Sequence, residues 1–239
     1  MIKVNSLINL LKRNKSDFFT GVPDSVLKDL STVLQKKNKQ QHIIASNEGA
    51  AVSIGIGHYL STNKIPTIYM QNSGLSNALN PLISIAHEKV YSIPLILIIG
   101  WRGSPRIKDE PQHNVKGKIT EQILKLLNIK YTILRSVSDI NKFDKQIKLA
   151  KKKKSIVACL IEQGTLEKIK NTKKKKDFYN LDKELFLKSL LENLTNNTKI
   201  ISSTGYNSRE LMYLREKYKF NNTKEFYMVG GMGDTSSVA

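Results

Sequence analysis

Six short apolar runs, "DFFT", "HIIA", "PTIYMQ", "IPLILIIG", "YTIL" and "SIVACLIE", punctuate residues 17–162, and helix-length segments fill the gaps between them. Strands alternating with helices imply parallel pairing, because two parallel neighbours need a crossover and the helix is the crossover. The runs are apolar at almost every position, as strands covered on both faces require. The expected fold class is therefore α/β, a parallel sheet sandwiched by helices.

The pattern weakens over residues 163–181, "QGTLEKIKNTKKKKDFYNL", which read as a linker. A second unit opens at residue 182. "DKELFLKSLLENL" is helical, "KIISST" a strand, "GYNSRELMYLREKY" a loop then a helix, and "EFYMVGGMGDTSSVA" a strand entering a Gly-rich turn. One strand–helix unit plus one more strand cannot cover both faces of a sheet. The expectation is a domain at 1–162, a linker at 163–181, and the incomplete start of a second α/β domain at 182–239.

Bulk properties narrow the function classes. The formal charge of +19 comes from 33 Lys against 6 Arg and travels with abundant Asn and Ile. That combination reads as compositional bias, and the runs Lys151–Lys154 and Lys173–Lys176 as solvated surface and linker rather than a nucleic-acid face. Cys159 is the single cysteine, so no internal disulfide is possible and a cytoplasmic setting is expected. The N-terminal stretch is too polar for a signal peptide, and no apolar run reaches the roughly 18–20 residues that span a bilayer. Neither a nucleic-acid nor a membrane partner is expected.

Ligands of open parallel sheets bind at the carboxyl ends of strands. Four polar clusters fall there: "GVPDS" (21–25), "SNEG" (46–49), "QNSGLSN" (71–77) and "WRGSPRIKDEPQH" (101–113). Asp24 or Ser25 is placed to cap the helix that follows. Glu48 begins a helix, where the dipole favours negative charge. Gly49, Ala50, Ala51, Ser53, Gly55 and Gly57 give that helix little bulk, which permits close approach of another helix or a ligand. A carboxylate beside such a contact is desolvated, which disfavours its charged form. Asn72 and Ser73 can hydrogen-bond a polar heterocycle, and Gly74 supplies a tight turn. "KDEPQH" gathers Lys108, Asp109, Glu110, Gln112 and His113 in what reads as a long loop. Arg102, directly after a strand, is placed to meet an anion. No HExxH, cysteine-rich metal spacing, GxGxxG or Walker A motif is present.

Together "GVPDS", "ASNEGAAVSIGIGHYL", "YMQNSGLSNALNPL", "YSIPLILIIGWRG", "KDEPQH", "GYNSREL" and "VGGMGDTSSVA" resemble the thiamine-diphosphate-dependent 2-keto acid decarboxylases. Within them the resemblance is to the phosphonopyruvate decarboxylase group, with sulfopyruvate decarboxylase a near relative. It implies a carboxy-lyase of phosphonate biosynthesis, converting 3-phosphonopyruvate to phosphonoacetaldehyde and CO2. It implies a pyrimidine-binding domain at 1–162 and the opening of a diphosphate-binding domain at 182–239. Glu48 matches the cofactor-activating glutamate, hydrogen-bonded to N1′ of the aminopyrimidine, and His113 joins it as catalytic. Asn72, Ser73 and Gly74 would line the pyrimidine, and Asp24 and Ser25 would stand at the substrate rim. Arg102 and Lys108 are read as contacts for the substrate's distal anion. The cofactors implied are thiamine diphosphate and Mg²⁺, whose ligands are expected beyond residue 239, so no metal ligand is assigned within the chain. The implied assembly is a homodimer or homotetramer with its site between subunits. Asp234 stands where the resemblance expects a histidine. Two alternatives remain: sulfopyruvate as substrate, and a truncated, non-catalytic chain that only binds a partner.

Overall fold

The computed structural model describes residues 1–169, 180–195, 197–220, 225–231 and 235–239. Asp234, the lysine run at 173–176 and most of the proposed linker lie outside the described residues. The chain divides into two units, Met1–Asn171 and Thr172–Ala239.

The first unit runs α1 (Val4–Arg13), β1 (Phe19–Gly21), α2 (Lys28–Leu34), β2 (His42–Ile44), α3 (Glu48–Thr62), β3 (Thr67–Gln71), α4 (Leu75–Pro81), β4 (Ile96–Trp101), α5 (Pro111–Leu126), β5 (Lys130–Leu134), α6 (Val137–Lys153) and β6 (Val157–Glu162). A 3-10 turn, Asn72–Gly74, joins β3 to α4. All six expected strands form, and all pair in parallel in the order β2-β1-β3-β4-β6-β5. After β2 the chain reverses across β1 to reach β3, so the switch point lies between the carboxyl ends of β1 and β3.

Alternate side chains feed two cores. Phe19, Tyr69, Ile98 and Cys159 pack with Leu7, Leu30 and Phe143 of α1, α2 and α6. Ile68, Met70, Leu97, Ile99 and Leu160 pack with Val52, Leu75 and Leu124 of α3, α4 and α5. Each fully buried Leu, Ile or Phe contributes about 1.5–3 kcal/mol, which explains why these strands carry almost no polar residues.

Local chemistry sets the helix starts. Asn47 caps α3 by accepting from the Ala50 N–H at 2.8 Å. Ser136 and Asp139 form a capping box on α6. Two boundaries differ from the sequence expectation. α2 begins at Lys28 and has no side-chain cap; Asp24 instead accepts from the Val26 N–H (2.6 Å) and the Leu27 N–H (3.2 Å) in the turn before it. The expected long loop after β4 ends at Glu110, because Pro111 at the first helical position is pre-set for helix. His113 therefore sits in the first turn of α5. The run Lys151–Lys154 closes α6 and is exposed, where positive charge suits the helix C-terminus.

The second unit contains α7 (Lys183–Glu192), β7 (Ile200–Ser202), α8 (Tyr206–Tyr218), β8 (Glu225–Tyr227) and α9 (Thr235–Val238). β7 and β8 pair in parallel, and Leu191, Leu211 and Leu214 form its small core.

Candidate active site

Register places the strand ends side by side. Gly21 of β1 stands opposite Tyr69 of β3, Gln71 of β3 opposite Gly100 of β4, and Trp101 of β4 opposite Glu162 of β6. The clusters at 21–25, 71–77 and 101–113 thus surround one end of the sheet, and Glu48 enters from the start of α3.

Glu48 is buried, with 6% of its surface exposed. Its Oε2 accepts from the Asn77 amide at 3.0 Å, and no ion pair holds it among the described residues. Gly74 lies directly against the carboxylate: a Cβ there would overlap Glu48 Cγ, Cδ and Oε1. The close approach that the small residues permit is partly internal, since Gly55 packs against Ile68 and Pro66.

Asn72 and Ser73 are engaged within the chain. The Asn72 amide donates to the Arg102 carbonyl (2.9 Å) and Thr120 Oγ1 (3.0 Å), and its Oδ1 accepts from the Arg102 N–H (3.0 Å). Asn72 therefore ties the end of β3 to the end of β4. Ser73 Oγ donates to Gln71 Oε1 at 2.7 Å.

Asp109 organises the loop after β4. Its carboxylate accepts from Arg102 Nε (2.7 Å) and Nη2 (2.6 Å), the Gly103 N–H (2.8 Å) and the Glu110 N–H (2.8 Å). The paired guanidinium holds the Asp109 carboxyl well below the usual carboxylate range, and the Asp109 hydrogen bonds raise Arg102 in turn. With that edge occupied, Arg102 directs Nη1 to Ser25 Oγ at 3.2 Å. Sequence spacing singled out Arg102 and carried no sign of this partner. Lys108 is exposed and joins no ion pair among the described residues.

Two buried polar atoms in this region lack a hydrogen-bond partner, Asp24 Oδ2 and His113 Nδ1. Burial pushes the Asp24 carboxyl up to about 6, against the pull of its backbone hydrogen bonds and of Arg102. Its carboxylate lies against Gly100, where a Cβ would stand 2.9 Å from Oδ1. Burial, then Arg102, push His113 down, which keeps the imidazole neutral near pH 7.

These features fit the pyrimidine half of thiamine diphosphate. A buried carboxylate without a cation suits a ring nitrogen that shares a proton, and the side-chain-free Gly74 leaves the space that the carboxylate itself fills. Among the described residues no group of three or more His, Cys, Asp or Glu converges on a metal position, and no helix is long and apolar enough to cross a membrane. A hollow of about 310 Å³ lined by Tyr59, Leu60, Ile85, Tyr91, Ser92, Ile93 and Lys154 lies toward the opposite, amino ends of β4 and β6, away from these groups.

Residues 3–124 match the family described as thiamine pyrophosphate enzyme, N-terminal TPP binding domain. The chain is 28% identical to a phosphonopyruvate decarboxylase of Streptomyces hygroscopicus over 235 residues, covering 91% of this chain and 57% of that relative's length. It is 36% identical to a sulfopyruvate decarboxylase subunit alpha of Methanococcus maripaludis over 115 residues, 48% of this chain and 66% of the relative. Among solved structures, a benzoylformate decarboxylase from Polynucleobacter necessarius shares the fold with a TM-score of 0.50 at 16% identity, over 84% of this chain and 38% of that one.

Proposed function

Since the chain belongs to the thiamine pyrophosphate enzyme family through its N-terminal TPP binding domain, we propose that it supplies the pyrimidine-binding part of a 2-keto acid decarboxylase acting on 3-phosphonopyruvate. Residues 1–162 would be the pyrimidine domain and 182–239 the opening of the diphosphate domain. The partner would be a second copy of the protein in a homodimer or homotetramer, and Mg²⁺ would accompany the diphosphate. The observation that carries the reading is Glu48: a buried carboxylate on the first turn of α3, free of ion pairs among the described residues, against a glycine with no room for a side chain.

Thiamine diphosphate, when bound, supplies the carbanion-stabilising chemistry that loss of CO2 from a 2-keto acid requires. The chain's own residues bind, orient and move protons. Glu48 would hold the proton at N1′ of the aminopyrimidine, a role its burial favours by removing competing water. Asp24, with its carboxyl pushed up to about 6, can hold a proton at Oδ2 near neutral pH. Neutral His113 can accept or donate one. Arg102 Nη1, at the Ser25 end of the cleft, would meet the distal anion, with exposed Lys108 adding positive charge outside it.

Sulfopyruvate is the second reading, favoured by the higher identity to the sulfopyruvate decarboxylase subunit. Relative turnover of the two substrates, with thiamine diphosphate and Mg²⁺ present, separates the readings, and a clear preference for the sulfonate reverses the order. Glu48→Gln is expected to lose turnover by orders of magnitude while keeping the fold, since an amide cannot share that proton. Near-normal turnover would remove Glu48 from the mechanism.

A further inference from the structure

The sequence motifs lead to Glu48, Asn72, Ser73 and Gly74, yet among the described residues the hydrogen bond that Glu48 receives comes from Asn77. Asn77 lies on α4 and is exposed, with its amide turned back across the α3–α4 crossing to donate to Oε2 at 3.0 Å. That crossing is tight. A Cβ on Gly49 would stand 2.9 Å from the Asn77 carbonyl oxygen, so Gly49 is what lets Asn77 reach Glu48. On the other side the carboxyl group fills the space that a Cβ on Gly74 would take. The carboxylate is held from both sides, by a donor and by a backbone.

A carboxylate offers two equivalent oxygens and turns easily about its last bond. To accept one N–H at a fixed place it must be oriented, and a donor on one oxygen selects the presentation of the other. Asn77 does this with a neutral amide, so it adds no charge beside Glu48. A lysine or arginine in its place would form an ion pair and draw the carboxylate away from proton sharing.

We propose that Asn77 is a positioning residue for Glu48, fixing one carboxylate oxygen so that the other meets N1′ of the aminopyrimidine. The inference rests on the proposed function, and the test separates the two. Calorimetry with Mg²⁺ present would compare thiamine diphosphate with the analogue in which N1′ is replaced by C–H. The ratio of the two affinities reads the Glu48–N1′ contact directly, without turnover.

Wild-type protein is expected to prefer the natural cofactor, and Asn77→Ala to reduce that preference about ten-fold, the scale of one hydrogen bond to a charged group. Asn77→Asp, which sets a second carboxylate against Glu48, should reduce it at least as far. Both variants take the donor from a buried oxygen, so a single thermal transition lowered by a few degrees is expected, and the ratio is read on folded protein below it. A merely structural role would weaken both compounds alike and leave the ratio unchanged, which would overturn the inference. If Glu48→Gln abolishes the preference while Asn77→Ala retains it, this inference falls and the proposed function stands. A Glu48→Gln variant with the wild-type ratio, or a wild type that binds both compounds without preference, removes the role of Glu48 and this inference with it.

Discussion

Replacing Asp109 by alanine tests how the loop after β4 is held. The carboxylate accepts four hydrogen bonds, two of them from Arg102. The Asp109 side chain is 8% exposed and that of Arg102 17%. Water can rehydrate much of the freed guanidinium, so each of those two bonds is worth about 0.5 kcal/mol net. The Gly103 N–H is buried and loses its acceptor, at a cost of about 1–2 kcal/mol. Water replaces the acceptor of the half-buried Glu110 N–H at little net cost, so the sum is about 2–3 kcal/mol. With a urea slope of about 2 kcal/mol/M, the midpoint should fall by about 1 M. Asp109→Asn keeps one oxygen for Gly103 and should lose about half as much.

The assay is built into the chain. Trp101 is the single tryptophan, it is buried, and its indole N–H donates to the Gly117 carbonyl at 2.9 Å, directly beside this loop. Urea unfolding followed by its fluorescence reads the unit that matters. The pH dependence has a definite sign. The folded carboxyl lies below its unfolded value, so its contribution is complete above the unfolded pKa of about 4. It declines as pH falls below that value toward the folded pKa. The gap between wild type and variant should be full at pH 7 and shrink only below about pH 4. A midpoint for Asp109→Ala within about 0.2 M of wild type at pH 7 would refute the assignment.

Asp24→Asn should raise stability and lower turnover together. The Asp24 carboxyl is pushed up to about 6 in the fold, so the folded state binds its proton more tightly than the unfolded state. That contribution is complete below the unfolded value of about 4 and is lost as pH rises through 6, after which a buried charge remains. The amide retains an oxygen for Val26 and Leu27, so a gain of about 1–3 kcal/mol is expected at pH 7.5 and little at pH 4; equal urea midpoints at both pH values count against it. Gly74→Ala drives a methyl into Glu48, and a loss of about 1–3 kcal/mol with weakened thiamine diphosphate binding is expected in melting and calorimetry. Cys159 is fully buried and burial pushes its thiol up, so native protein should resist iodoacetamide for as long as it stays folded. Rapid native labelling would contradict that core.

Much of the architecture was legible because it is local. The apolar runs at 67–71, 96–101 and 157–162 are strands buried at every position, and Glu48 opens α3 as its place in the sequence implies. The boundary missed after β4 has a local cause as well: Pro111 opens a helix, which moves His113 from a loop into α5. The site was less legible. Asn72 reads as a free amide, but Arg102 and Thr120, both distant in sequence, take up its hydrogen-bonding groups.

The sequence by itself determined an alternating α/β chain, strand ends rich in polar residues, and a glutamate opening a helix of small residues. These follow from periodicity, capping and side-chain size, which act over a few neighbours. The tertiary structure decided the strand order, the insertion of β6 between β4 and β5, the hold of Asp109 on Arg102, and the grip of Asn77 and Gly74 on Glu48. Those contacts depend on which elements pack together and in what register. That choice is made by the burial of two cores at once, and no short stretch of the chain contains it.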